Sequence, residues 1–575
     1  MEDLQKVTYF AETDSRGERK PFGIKNGDRS KHVYVIGKTG MGKSTLLENM
    51  AIQDIQSGNG LCFIDPHGGT AEKLLEYVPE ERVKDVLYMA PFDIDYPVAF
   101  NVMEDVGAEK RHLVASGLMS AFMKLFGEES FSDRMQYILQ NTILALLEYP
   151  GSTMLGINKM LADKAYRKKV VDNITDPSVK AYWTQEYAGY TERFAAEAIP
   201  AIQNKIGQFT SNPLIRNIIG QPKSSFNFRT VMDEKKIVIV NLSKGRVGEG
   251  NARLLGSMLI TKIYLAAMSR ADESATSLAK LSQFYLFVDE FQSFADKSFA
   301  DILSEARKYK LNLTIAHQYI EQMDEEVRDA VFGNVGTTIA FRVGAYDADV
   351  LEKEFAPVFI AEDLVNLGRF QIYLKLMIDS VSSPPFSASA LPPIQPLRST
   401  YTKEIVENSR RVFAKTRSDI EKSIVEWHAE GKDEMPTPAP KSKMTPYVPK
   451  KPQAIDTRSL AKEAPAKREE FQRSDLKSDS QGQTLKPASP PPVPKKQEVS
   501  PKVSLESLKN KNNNQRKPDE KHVSALRDAL KSVGAQPTIN NKQETSPEPK
   551  LTANSSQLKA GSGPSPEDLK KIFNG

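Results

Sequence analysis

The 575-residue chain has one cysteine, Cys62. A single thiol excludes an intramolecular disulfide framework and any zinc site built on several cysteines, and it fits a reducing compartment. The six histidines are scattered, with no metal-ligand spacing between them. No uninterrupted apolar run approaches the ~18 residues that a membrane helix needs. Residues 1–20 are polar and lack the apolar centre of a signal peptide. These absences predict a soluble, cytoplasmic protein that meets a membrane only through partners. Net charge is also low. A formal +4 excludes a globally basic nucleic-acid binder. It conceals an asymmetry, because residues 431–575 carry roughly +10 and leave roughly −6 for the rest. DNA held by the folded part would therefore be held by a local patch or a ring pore.

The composition changes near residue 430. Of the 35 prolines, 19 lie beyond it, and so do runs such as Asn512-Asn513-Asn514. A segment this polar buries too little apolar surface to offset its ordering entropy, so 432–575 reads as a disordered, basic tail rich in Pro, Lys and Ser. Two stretches within it carry helical signals. Val523, Leu526, Leu530 and Val533 recur at helical spacing. Ser565-Pro566-Glu567-Asp568 opens like a helix N-terminus ahead of Leu569, Ile572 and Phe573. Both read either as residual helicity or as docking helices that fold on a partner.

Ahead of the tail, short apolar runs alternate with helical patterns. The runs at 32–36, 61–64, 86–89, 237–241, 284–288, 313–316, 338–343 and 372–377 predict strands of an α/β fold with a mostly parallel sheet. Between about 105 and 230 the strand signal vanishes, and 113–126, 135–149 and 195–209 carry helical periodicity. The predicted organisation is a motor domain at 1–104 and 231–400, an all-helical insertion at 105–230, a closing helix at 401–431 and the tail at 432–575.

Gly37-Lys38-Thr39-Gly40-Met41-Gly42-Lys43-Ser44, followed by Thr45, fits the phosphate-loop pattern in full. A strand precedes it and a helix follows, the order that the mechanism requires. Glycines let backbone N–H groups face phosphates, and the helix N-terminus adds positive potential. Lys43 is expected to reach the β- and γ-phosphates and Ser44 to ligate Mg²⁺. This makes ATP with Mg²⁺ the predicted ligand. The apolar run at 284–288 ends in Asp289 and Glu290. Asp289 is placed to hold Mg²⁺ through water, and Glu290 to polarise the attacking water. The adjacent pair favours hydrolysis that does mechanical work over a switch or a small-metabolite kinase.

The next strand ends at Gln318, a polar residue suited to sensing the γ-phosphate. Arg342 is the first candidate for an arginine offered across a subunit interface to stabilise transition-state charge, with Arg328 second and Arg307 nearby. Asp65, in Asp65-Pro66-His67-Gly68, stands where a carboxylate would order the water shell of Mg²⁺. His67 reads as a hydrogen-bonded structural residue. For Trp183 and Arg134, in the insertion, packing and ion pairing are the default readings.

Taken together, these motifs resemble the FtsK–HerA superfamily of DNA-pumping ATPases, and most closely the type IV secretion coupling proteins of the TraG/TraD type. The resemblance covers residues 22–430. It rests on GKTGMGKST at 37–45, FIDPHG at 63–68, LFVDEFQSF at 286–294, EARKYKLNLTIAHQY at 305–319, GNVGTTIAFRVG at 333–344 and NLGRFQIYLKL at 366–376. It implies a RecA-like P-loop NTPase of the ASCE class with a substrate-facing all-α insertion. It also implies a homo-hexameric ring that threads DNA by hydrolysing ATP and couples a relaxosome or protein substrate to a secretion channel. Lys43, Ser44, Asp289, Glu290 and Gln318 match the positions that hold the assigned roles. The chain departs from the pattern in three places. Coupling proteins usually carry N-terminal membrane helices, HerA-type helicases an N-terminal β-barrel, and relatives often an acid where this chain has Gly69. Two other readings share the motor chemistry. One is a nucleotide-gated docking protein whose basic tail recruits substrates, and the other is a secretion assembly ATPase that does not act on DNA.

Overall fold

The computed structural model describes residues 4–14 and 17–430, with 192–197 as backbone alone. The tail at 432–575 and both helical stretches predicted in it lie outside the described residues. Thirteen strands are present among the described residues: β1 (Val7–Thr13), β2 (Pro21–Lys25), β3 (Val33–Ile36), β4 (Gly60–Asp65), β5 (Val86–Met89), β6 (Ile237–Asn241), β7 (Phe284–Val288), β8 (Leu311–His317), β9 (Thr337–Ala340), β10 (Gln371–Lys375), β11 (Met377–Ile378), β12 (Val381–Ser382) and β13 (Phe386–Ala390). Eleven form one sheet in the order β2-β1-β13-β10-β9-β3-β8-β7-β4-β6-β5. From β9 to β5 the pairing is parallel. The remaining edge, β10, β13, β1 and β2, is antiparallel.

The parallel strands are continuous apolar runs because both faces are covered. Every residue of β3, β4, β6, β7, β8 and β9 is buried. One face packs on the helix Lys43–Gln56 through Leu47, Met50, Val35 and Phe287. The other shares a core with the helix Glu249–Met268 and the region between β5 and β6, through Leu87, Leu286, Ile138, Ile215 and Leu255. In register, Val33 pairs with Thr314 on one side and Thr337 on the other. This sets the end of β3 level with the ends of β8 and β9.

Between β5 and β6 the described residues contain helices and no strand, including Arg111–Phe126, Asp133–Glu148 and Glu192–Thr210. Their starts follow local capping chemistry. Ser132 accepts from the Met135 N–H, Asp163 from Ala165 and Tyr166, and Asp176 precedes a first-turn proline. Trp183 is buried, donates to the Asn141 carbonyl and packs on Tyr187, so its default packing reading stands. Arg134 is exposed.

The predicted closing helix is two helices, Thr402–Phe413 and Arg417–Ala429. The break falls where Ala414 forms a β-bridge with Val98 and Thr416 caps the second helix by accepting from the Asp419 N–H. The first helix is tied to the sheet region by Arg410 and Asp93, with contacts of 2.7 and 3.0 Å. The second packs Ile420 and Ile424 on Leu155 of the helical region. Among the described residues, no helix is long and apolar enough to cross a membrane.

Candidate nucleotide site

The ends of β3, β8 and β7 lie side by side, and the carboxyl-end crevice of a parallel sheet is where ligands bind. From β3 the chain enters the glycine loop, which presses on two aromatic residues. A Cβ on Gly37 would stand 2.5 Å from Phe341 Cβ, and one on Gly42 would stand 3.0 Å from both the Phe341 and Phe370 rings. Gly42 also takes a φ of +125°, which a side chain rarely tolerates. Backbone bonds fix the loop. The Gly37 N–H donates to the His317 carbonyl at 3.3 Å, Lys38 N–H to Arg342 at 2.8 Å, and Phe370 N–H to Met41 at 3.1 Å. The helix that follows begins at Lys43, so first-turn N–H groups without intrahelical acceptors point out of the loop end.

Lys43 is buried and folds back, donating to the Gly37 carbonyl at 2.6 Å and the Lys38 carbonyl at 3.4 Å. Burial pushes its ammonium below the usual lysine range, against the opposing pull of Glu290 and Asp289. Ser44 Oγ donates to Asp289 Oδ2 at 3.3 Å. Asp289 is buried, and its carboxyl is pushed up to about 6. Burial is the main cause, followed by the charges of Glu290 and Asp65, while Lys43 pulls the other way. A neutral hydroxyl beside a buried carboxylate is an oxygen donor set that suits Mg²⁺, and the elevated acid is a negative charge in need of a cation.

Glu290 has left-handed backbone, φ +47° and ψ +49°. For a non-glycine residue this conformation costs about 1–3 kcal/mol and is concentrated at functional sites. Its N–H donates to Asp289 Oδ1 at 2.9 Å, and its Oε2 accepts from Gln292 Nε2 at 2.6 Å. Gln318 donates through its side-chain amide to the Thr39 hydroxyl. The structure thus brings Gly37 to Thr45, Asp289, Glu290 and Gln318 together.

The arginine candidates separate. The Arg342 main chain is bonded to the loop of its own chain, and its guanidinium makes no hydrogen bond or ion pair among the described residues. Arg328 instead pairs with Glu325 and Asp329 beside it on the helix surface, and Arg307 is exposed. Asp65 also has a structural task. Its oxygens accept the N–H groups of His67 at 2.7 Å and Ala71 at 2.9 Å, so it caps the turn into the helix Gly69–Leu74. The His67 ring is exposed and makes no hydrogen bond among the described residues, contrary to the structural role predicted for it.

Sequence reasoning passed over Phe341, Phe370 and Gln292. The signal for Gln292 was a lone amide two residues beyond Glu290, between Phe291 and Ser293. The two phenylalanines gave none, because their role depends on strand order.

Comparison with known proteins follows the same lines. The family model of type IV secretory system conjugative DNA transfer proteins matches residues 5–340. The plasmid coupling protein TrwB, solved with the non-hydrolysable GTP analogue GDPNP, is 15% identical, with a TM-score of 0.50. The match covers 69% of this chain and 98% of that one. TrwB solved with ADP and Mg²⁺ is 15% identical with a TM-score of 0.49, over 68% of this chain and 97% of that one. VirB4 of Thermoanaerobacter pseudethanolicus is 12% identical with a TM-score of 0.45, over 67% and 96%. No curated protein matches the chain. The TrwB likeness shows the fold, the RecA-like P-loop architecture expected from the motifs.

Proposed function

Because the chain belongs to the type IV secretory system conjugative DNA transfer family, we propose that it is an ATP-hydrolysing DNA translocase that couples DNA or nucleoprotein to a type IV secretion apparatus. The coarser statement, a coupling NTPase of that family, is the premise. The observation that carries the finer one is the meeting of Lys43, Ser44, Asp289 and Glu290 at the ends of β3 and β7, on either side of β8.

In this reading the loop N–H groups and Lys43 bind the β- and γ-phosphates of ATP. Ser44 would hold Mg²⁺ directly and Asp289 through water, and the cation would supply neutralisation of phosphate charge. Glu290 accepts the proton of the water that attacks the γ-phosphorus, while the bond to the β-phosphate oxygen breaks and ADP leaves. Gln318, already touching Thr39, reports the γ-phosphate to β8. We assign Arg342 to transition-state charge, offered across a subunit interface, since its guanidinium makes no hydrogen bond or ion pair among the described residues. Assembly as a homo-hexamer and action at the inner face of the membrane through secretion and relaxosome partners complete the proposal, with the all-helical region facing the substrate.

The test is movement. ATP should drive displacement of a third strand from duplex DNA, or of streptavidin from a biotinylated single strand. Intact ATP hydrolysis without either displacement would overturn translocation.

A further inference from the structure

Strand β3 lies between β8, whose other neighbour β7 carries Asp289 and Glu290, and β9, whose other neighbour is β10. A nucleotide whose γ-phosphate faces Glu290 therefore runs its nucleoside end toward β9 and β10. Two side chains on that flank meet the loop: Phe341 after β9, which is fully buried, and Phe370, immediately before β10. Its N–H donates to the Met41 carbonyl at 3.1 Å, and its Cδ1 stands 3.0 Å from where a Cβ on Gly42 would be. Yet the residue is 41% exposed. Its φ is +67°, the left-handed region that a phenylalanine avoids unless the surroundings hold it there. Arg369, also exposed, lays its guanidinium over the ring at 4.6 Å from the centroid. Planar cations and aromatic rings both stack on heterocyclic bases.

We propose that Phe370, with Arg369 beside it, is the platform on which the base of the bound nucleotide stacks. The inference rests on the nucleotide site described above and adds the element that receives its base. Stacking reads a π-face and no base edge. The platform therefore takes adenine and guanine alike, and the loop supplies the affinity for phosphate.

Equilibrium binding to the full chain tests this with three probes: ATP, GTP and inorganic tripolyphosphate, which has no base. In Phe370→Ala, ATP and GTP should each bind roughly tenfold more weakly or worse, while tripolyphosphate binding stays unchanged. Phe370→Trp should restore affinity. Its fluorescence, above the constant background of Trp183 and Trp427, should change on adding ATP and stay constant with tripolyphosphate. Equal weakening of all three probes in Phe370→Ala would mean that the ring only braces the loop, and no weakening of any would place the base elsewhere. Either result overturns the proposal. Lys43→Ala separates the two readings. If it leaves ATP and tripolyphosphate binding intact, the phosphate-loop site itself fails, whatever Phe370 does.

Discussion

The Ser44 hydroxyl donates to the Asp289 carboxylate at 3.3 Å across 245 residues of sequence. This contact joins the first turn of the helix after β3 to the end of β7, and it defines where a divalent cation would be shared. Ser44→Ala and Asp289→Asn should each slow Mg²⁺-dependent hydrolysis about 100-fold or more, the scale on which single electrostatic groups act in a dry site. Nucleotide binding measured without Mg²⁺ should survive. A Mg²⁺ titration of hydrolysis, beside binding in chelator, separates the two effects.

Gly42→Ala should disable the loop without touching a phosphate ligand. The new Cβ would meet the Phe341 and Phe370 rings at 3.0 Å with φ at +125°. Strain of about 1–3 kcal/mol is expected, together with a loss of ATP affinity of roughly tenfold or more from misaligned N–H groups. Thermal unfolding and ATP titration of the same sample check both.

Two buried histidines make the nucleotide-free protein acid-sensitive. His32 accepts the Leu313 N–H at 3.1 Å on Nδ1 and lies 3.2 Å from the Leu303 carbonyl through Nε2. Burial, the largest cause, pushes it down to about 4. Burial, with Lys43 nearby, pushes His317 down to about 3. Both folded values lie below the unfolded 6.5, so the unfolded chain binds more protons and stability falls as pH drops below 6.5. Each histidine should cost roughly 2 kcal/mol by pH 5. Asp289, raised by burial, acts in the opposite sense over the same range and offsets part of this. Unfolding temperatures measured from pH 7.5 to 5 should fall, and a flat profile would contradict the buried-neutral assignment.

Stability also depends on Arg29 and Asp54, a buried bidentate pair at 2.8 Å with Arg29 stacked on Tyr285. Arg29→Met strands the carboxylate and should cost about 3–5 kcal/mol. Arg29→Met with Asp54→Leu should recover much of that loss. The exposed pair Lys168 and Asp172 serves as a control expected to show no measurable effect. Denaturant unfolding of the intact chain, the single and double variants and a Lys168→Ala control decides.

The buried half of the fold was legible because parallel strands covered on both faces carry unbroken apolar runs, as in Ile237–Asn241 and Phe284–Val288. Of the antiparallel edge, β10 alone was, as the run at 372–377. β13 reads Phe-Ser-Ala-Ser-Ala, and β1 is interrupted by an irregularity between Tyr9 and Ala11, so neither shows a clean period. The run at 338–343 overshot β9, because Phe341 and Val343 stay apolar after the chain leaves the strand, Phe341 in order to brace the glycine loop. The phosphate loop and the Asp289-Glu290 pair were legible as local patterns. The contacts of Phe370 with Gly42 and of Arg342 with Lys38 were not, since only strand order brings those positions together.

ATP hydrolysis by the intact chain and by Glu290→Gln, with and without single- and double-stranded DNA at matched salt, tests the central claim most directly. The account predicts that one form of DNA strongly stimulates hydrolysis and that the substitution abolishes it. Hydrolysis that is indifferent to both forms of DNA, or that persists in Glu290→Gln, would contradict it.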